Sequence, residues 1–109
     1  MSDARTLYKD GLKHLANDRI EEAIDCYRRA TELAPELALA WNGLSLALKH
    51  KGDLDAAIEA GRRLVALEPE DPLSHTNLSV LYQNKGMIPE AEDEKAVAMR
   101  LEMKQKAGG

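Results

Sequence analysis

Three histidines and one cysteine are the side chains of this chain best suited to bind a transition metal or to form a Cys–His nucleophile pair. His14, His50 and His75 have no partner at the spacing that two metal ligands on one helix require, and support for a Cys–His nucleophile pair at Cys26 is equally thin. No glycine-rich phosphate loop is present either. We therefore expect no catalytic residue, no metal site and no cofactor, and we predict that the protein is not an enzyme.

Length, charge and cysteine content limit the remaining possibilities. The 109 residues fit one domain, the formal net charge is -4, and no apolar run approaches the ~20 residues that span a bilayer. An acidic chain is a poor polyanion binder, so nucleic acid is not an expected partner. With a single cysteine and no secretory signal at its N-terminal residues, the chain is expected to be cytoplasmic and not inserted into a membrane.

Residue types recur along the chain at a step of 34 positions. Ala23, Ala57 and Ala91 stand at this step, and so do three further sets: Ile20, Leu54 and Ile88; Leu33, Leu67 and Leu101; Gly11, Ser45 and Ser79. Each step contains two apolar patterns of helical period, which predicts stacked pairs of helices. The predicted repeats cover residues 4–37, 38–71 and 72–105, within one domain over residues 1–109, and residues 106–109 are expected to form a flexible tail.

Polar residues, glycine and proline mark the ends of the predicted helices. The first helix is expected over about residues 4 to 17, where Asn17-Asp18 breaks the pattern and offers a cap for the second helix. Lys51-Gly52-Asp53 predicts a turn followed by an N-cap, and Asp71-Pro72 predicts a capped helix start. Pro89 fits the first turn of the last helix.

The chain resembles the tetratricopeptide repeat family, whose 34-residue pattern places large, small and proline residues at fixed positions. The resemblance implies an all-α fold, a right-handed superhelical α-solenoid of three antiparallel helix pairs. Trp41, at position 4 of the second repeat, is expected to fill the space between its helices. The matching residues are Leu7, Gly11, Ala23, Tyr27, Ala30 and Pro35; Trp41, Leu44, Ser45, Leu48, Ala57 and Pro69; and Leu78, Ser79, Tyr82, Ala91 and Ala98.

The resemblance also implies where a partner would bind, because members of this family bind peptides or helices in a concave groove lined by the first helix of each pair. The predicted partner is therefore another protein or peptide, and Tyr8 is the residue favoured most for contact. The predicted groove residues are Arg5, Tyr8, Lys9, Leu12, Asn42, Leu46, Lys49, Thr76, Asn77, Val80 and Gln83; the same register adds Leu15, Ala16, Leu39, Gly43, His50, Leu73 and Asn84. The leucines and asparagines in this set could equally be structural.

A specialised form of this groove, the carboxylate clamp that holds chaperone tails, needs lysine, arginine and asparagine side chains at five positions. This chain has Tyr8, Leu12, Gly43, Leu73 and Asn77 there. None of these matches the clamp, so we predict no tight binding of a chaperone tail.

Several residues depart from the family pattern. Asp10 replaces an apolar residue in the first unit, and Glu92, Lys95 and Met103 depart from it in the last, which is typical of the ends of a repeat array. Gly61 replaces an aromatic residue and leaves either a dent filled by Trp41 or Tyr27 or a shallow pocket. Cys26 is expected at or near the surface.

We predict a non-enzymatic interaction module that acts as an adaptor or scaffold, expected as a monomer. The alternative is a self-assembling scaffold that forms homo-oligomers through its terminal helices.

Overall fold

The computed structural model describes residues 3–108 and contains six helices in that range. They are α1 (Ala4–Ala16), α2 (Ile20–Leu33), α3 (Ala38–Lys51), α4 (Leu54–Leu67), α5 (Pro72–Lys85) and α6 (Ile88–Gly108). Each helix packs against the next in the chain, and α1 also packs against α3. The predicted all-α solenoid is confirmed, and its helices start at the same 34-residue step as the sequence pattern.

Aspartates begin three of the helices. The side chain of Asp3 accepts a hydrogen bond from the backbone N–H of Thr6, at 2.8 Å, and Asp53 caps α4 in the same way. Asp71 precedes Pro72 and accepts from the backbone N–H of Leu73 at 3.0 Å. These caps satisfy N–H groups that have no partner inside the helix, which is why the sequence could predict the starts of α4 and α5.

The turn inside each helix pair uses one residue in the left-handed conformation. Gly52 and Gly86 have φ angles of +92° and +85°, and Asp18 holds the equivalent place with φ +59°. The expected cap for α2 was wrong, because Asn17 ends α1 by donating from Nδ2 to the carbonyl of Lys13, and Arg19 precedes α2 without a side-chain cap. Asp18 is instead a left-handed residue at a position where glycine is favoured.

The core follows the repeated small residues. Ala23, Ala57 and Ala91 are buried completely or nearly so, which lets the two helices of each pair approach closely. Ser45 Oγ donates to the carbonyl of Ala57, and Ser79 Oγ donates to that of Ala91. The serines in the 34-residue pattern therefore tie the first helix of a pair to the second.

Trp41 and His75 are equivalent in the second and third repeats and make equivalent bonds. Trp41 Nε1 donates to the carbonyl of Pro35 at 2.7 Å, and His75 Nε2 lies 2.8 Å from the carbonyl of Pro69. Trp41 is half-buried. His75 is buried, and its Nδ1 lies 2.7 Å from a carboxylate oxygen of Glu94 on α6. His75 thus joins the loop before α5 to the last helix.

Gly61 and Cys26 differ from expectation. A side chain at Gly61 would meet Leu78 and Leu81 of α5, each at 3.2 Å, so two leucines of the next repeat occupy the space, and neither Trp41 nor Tyr27 does. Cys26 is buried and not at the surface. Burial, followed by the nearby charges of Asp10 and Asp25, raises the pKa of its thiol.

The expected flexible tail is largely helical. The last helix, α6, continues to Gly108, and residue 109 lies outside the described residues. Residues 103–107 include no glycine or proline that would stop a helix. Glu92 and Lys95 are exposed on this helix, as are Met99 and Met103.

Candidate interaction surface

The first helices of the three pairs, α1, α3 and α5, form one face of the protein, and its two halves differ. Between α1 and α3 the ring of Tyr27 lies against two glycines. A β-carbon at Gly11 would come within 2.6 Å of the ring, and one at Gly43 within 2.5 Å. Only glycine allows both helices to approach the ring this closely, so this half of the face is tightly packed.

Tyr8 closes the same half from the exposed side. Its ring centroid lies 6.0 Å from that of Tyr27 at an interplanar angle of 45°, within the usual range for aromatic pairs. Tyr27 is fully buried, and its hydroxyl oxygen has no hydrogen-bond partner among the described residues. Burial, with a smaller contribution from Tyr8, raises the pKa of Tyr27 to about 12. This tyrosine is therefore part of the packing and is not offered to a ligand.

Between α3 and α5 the face is more open. Asn77 Nδ2 donates to Asn42 Oδ1 at 3.2 Å, and both amides are exposed. The pair lines two separate cavities, one toward each end of the helices. Asn77 stands 34 residues after Gly43, so the residue that brings α1 close to α3 is replaced by an amide at the next interface.

The first cavity, which we call the Lys49 cavity, has a volume of about 210 Å³. Leu46 and Val80 supply its apolar walls, and the half-buried Lys49 supplies its positive charge. Leu46 is 41% exposed, a large fraction for a leucine in a concave site. Lys49 forms no ion pair with any residue between 3 and 108. This cavity combines open apolar surface with one uncompensated charge.

The second cavity, which we call the Asp71 cavity, has a volume of about 200 Å³. Leu39 and Leu73, 46% and 67% exposed, form its apolar rim. Glu68 and Asp71 contribute carboxylates from the loop between α4 and α5. The groove residues predicted from the repeat register did not include these acids, because they belong to a loop and not to a first helix. Their position beside Pro69, where the chain returns to the face, is the signal that could have indicated them.

The structure brings together five of the predicted groove residues, namely the lining of the Lys49 cavity: Asn42, Leu46, Lys49, Asn77 and Val80. Lys9, Leu12 and Gln83 are exposed on α1 or α5, and Thr76 donates its hydroxyl to the carbonyl of Pro72. Arg5 lies apart from both cavities, beside the loop that joins α2 to α3. Of the predicted set, the residues between α3 and α5 line a concave surface.

A larger cavity, of about 360 Å³, lies between α2 and α4, over the side of α3 that carries Trp41. Its charges are mixed, since Arg28 and Arg63 face it together with Glu32 and Glu59. The guanidinium of Arg63 stacks over the Trp41 ring at 5.6 Å from its centroid. This cavity is larger than the Lys49 and Asp71 cavities, but its two arginines and two glutamates balance in charge. We therefore place the candidate site on the α3–α5 half of the opposite face.

In residues 3–108, no group of three or more histidine, cysteine or acidic side chains converges in a way that could hold a metal ion. None of the described helices is long and apolar enough to cross a membrane.

Comparison with known proteins identifies the family. The family model described as tetratricopeptide repeat matches residues 8–72, more than half of the chain. The chain therefore belongs to the tetratricopeptide repeat family, as its sequence pattern predicted. A search of curated proteins gives no significant match.

Solved structures with this fold include two of MamA, each 28% identical to this chain. They superpose with TM-scores of 0.92 and 0.89 over 96% of this chain, which spans 61% and 57% of their lengths. The first TPR of Spaghetti (RPAP3), bound to the HSP90 peptide SRMEEVD, is 20% identical, with a TM-score of 0.86 over 92% of this chain and 79% of that one. The chain thus spans about three fifths of the MamA structures, and the comparison with Spaghetti concerns the fold alone.

Proposed function

We propose that this protein is a non-enzymatic interaction module that binds a peptide or helix of another protein on the face formed by α1, α3 and α5. The observation that carries the proposal is the open α3–α5 half, with its two cavities and its exposed leucines. Large apolar side chains beside hydrogen-bonding amides are typical of binding surfaces. The Spaghetti structure adds that this fold can hold a short peptide.

The proposal includes a cytoplasmic setting, which the single cysteine supports. Cys26 is free and buried, so folding of the described chain requires no disulfide.

The face can be tested with a displayed peptide library selected on the wild-type protein. Binding of the selected peptides is then measured by fluorescence anisotropy to a variant carrying Leu39→Ser and Leu46→Ser. We expect at least about a ten-fold loss of affinity, since apolar anchors dominate such interfaces. Leu33→Ser is the matched control, because Leu33 is 61% exposed but lies on α2. Equal losses in both variants, or no loss in the first, would place binding elsewhere.

Self-assembly is the second candidate, and exposed apolar residues of α6 favour it. Met99 and Met103 are 56% and 68% exposed on this helix. Light scattering over a range of protein concentrations separates the two functions. A mass that stays at one chain supports the interaction module, whereas growth with concentration that Met99→Ser and Met103→Ser abolish supports the scaffold.

A further inference from the structure

We propose that the α3–α5 half of the face binds an amphipathic helix of defined polarity, whose acidic first turn lies against Lys49 and whose basic last turn lies against Glu68 and Asp71. This inference rests on the proposed function and specifies its ligand. It follows from the spacing of the apolar walls and from the charges at the two ends.

The apolar walls form two positions along the helices. Leu39 and Leu73 are equivalent in the repeat and form one position, and Leu46 and Val80 form the other. Seven residues separate the positions on both α3 and α5, which corresponds to about 10.5 Å along a helix. The Asn42–Asn77 amide pair lies between them.

This spacing favours a helical ligand over an extended one. A helix lying along α3 and α5 presents residues i and i+7 on one side, about 10.5 Å apart. In an extended chain, residues on one side are about 7 or 13 Å apart, and residues about 10 Å apart point to opposite sides. A polar residue midway along the helical ligand would face the asparagine amides, which can both donate and accept.

The charges at the two ends give the site a direction. Lys49 lines one cavity, and Glu68 and Asp71 line the other; none of the three forms an ion pair within the described chain. Asp71 also accepts the N–H of Leu73 through one carboxylate oxygen, Oδ1. The dipoles of α3 and α5 oppose this polarity, and together they amount to about one elementary charge at each end. Lys49 offsets that charge at one end, and the two carboxylates of Glu68 and Asp71 exceed it at the other. The formal charges therefore set the direction.

The ligand orientation that these charges favour is also the one in which the charges of the ligand complement its own helix dipole. A helix with its N-terminus near Lys49 runs antiparallel to α3 and α5, whose C-terminal ends lie there. Acidic residues in its first turn and basic residues in its last turn complement its own dipole, and these are the residues that meet the opposite charges of the site.

The test uses two designed peptides of about 18 residues, long enough to form helix on a surface. Both carry leucines at i and i+7 with asparagine at i+4. The forward peptide has glutamates in its first turn and lysines in its last, and the reversed peptide exchanges them. Anisotropy at low salt is expected to give at least about ten-fold tighter binding of the forward peptide, with a difference that shrinks at about 0.5 M salt.

Charge exchange in the protein provides the decisive comparison. A variant with Lys49→Glu and Glu68→Lys is expected to prefer the reversed peptide, because both substituted side chains are at the surface or half-buried. Lys95→Glu, at an exposed position of α6 and not on the face formed by α1, α3 and α5, is the control and should keep the forward preference. Equal affinity for the two peptides, or an unchanged preference in the exchanged variant, overturns the polarity.

A third peptide, with proline at i+4, separates helix binding from binding of an extended chain. If it binds as tightly as the forward peptide, the helical ligand is wrong and the proposed function remains. If neither designed peptide binds but library peptides still require Leu39 and Leu46, this inference fails alone. If library peptides are also insensitive to those leucines, the proposed function fails with it.

Discussion

Replacing Tyr27 with phenylalanine should stabilise this protein, although removal of a buried tyrosine hydroxyl usually weakens a fold. The side chain is fully buried, and its hydroxyl oxygen has no partner among residues 3–108. A buried hydroxyl without a hydrogen bond costs about 1–3 kcal/mol, while the ring contacts with Gly11 and Gly43 survive the change. We expect the free energy of unfolding to rise by about 1–2 kcal/mol, or about 4 °C in Tm for each kcal/mol.

Tyr82→Phe is the matched control, because the same atom is removed from a tyrosine that uses it. The Tyr82 hydroxyl accepts a hydrogen bond from Arg62 Nε at 2.9 Å. Its loss should lower the free energy of unfolding by about 0.5–1.5 kcal/mol. Urea denaturation followed by far-ultraviolet circular dichroism measures both variants. If Tyr27→Phe were destabilised like the control, the Tyr27 hydroxyl would have a partner in solution and the reasoning would be refuted.

The pH dependence of stability gives an independent readout of the same hydroxyl. In the folded protein its pKa is about 12, because burial disfavours the phenolate, whereas in the unfolded chain it is about 10. The neutral form is thus favoured by folding, so this stabilisation is complete below about pH 10 and is lost as the pH rises toward 12. The full loss is about 2–3 kcal/mol, and it should be absent from Tyr27→Phe. An identical alkaline decline in the wild type and the variant would contradict the assignment.

Three further predictions concern the turns, the last repeat and the ligand. Asp18→Gly should raise the free energy of unfolding by about 0.5–1 kcal/mol because glycine adopts φ +59° without strain, and Gly52→Asp should lower it. In thermal unfolding, a Tm for Asp18→Gly below that of the wild type, or a Tm for Gly52→Asp above it, would contradict this reasoning. Glu94→Ala removes the hydrogen-bond partner of the buried His75 and should lower the free energy of unfolding, measured by urea denaturation, by about 1.5–3 kcal/mol. Glu94→Gln should lower it less, and Asp93→Ala, at an exposed neighbouring position, should hardly change it. Equal effects of Glu94→Ala and Asp93→Ala would exclude the bond between Glu94 and His75. Calorimetry with the peptide SRMEEVD should show no tight binding, because the clamp side chains are absent, and micromolar affinity would overturn the groove assignment.

The fold could be predicted from the sequence because the same residue pattern occurs three times, so each repeat supports the helix assignment in the others. The alanines of the 34-residue step are buried, and three of the six described helices begin directly after an aspartate. Asp18 shows the limit of this reasoning. An aspartate is a good helix cap and also tolerates the left-handed conformation, and the sequence alone favours the helix cap. Asp18 is equivalent in the repeat to Gly52 and Gly86, and this equivalence was the signal for the left-handed conformation.

The candidate site was harder to predict, since it depends on contacts between repeats. The register placed Asn42 and Asn77 on one face but could not show that their amides bond to each other. Glu68 and Asp71 belong to a loop, where a helical register has no meaning. The tight fit of Tyr27 against two glycines joins three helices, and no spacing within one helix indicates it.

Two departures from the repeat account for the difference between the two halves of the face. Gly43 lets α3 approach the Tyr27 ring, and its equivalent one repeat later is Asn77, whose side chain must stand between α3 and α5. The residue equivalent to Tyr27 in the second repeat is Gly61, and leucines of α5 occupy the space beside it. At the second interface a glycine thus replaces the aromatic residue, and an asparagine replaces the glycine. The first interface is sealed by a ring, whereas the second is bridged by two amides that leave a cavity on either side. A chain that kept Gly43 and Tyr27 in every repeat would lack this opening, so the loss of exact repetition, and not the repeat itself, creates the candidate binding site.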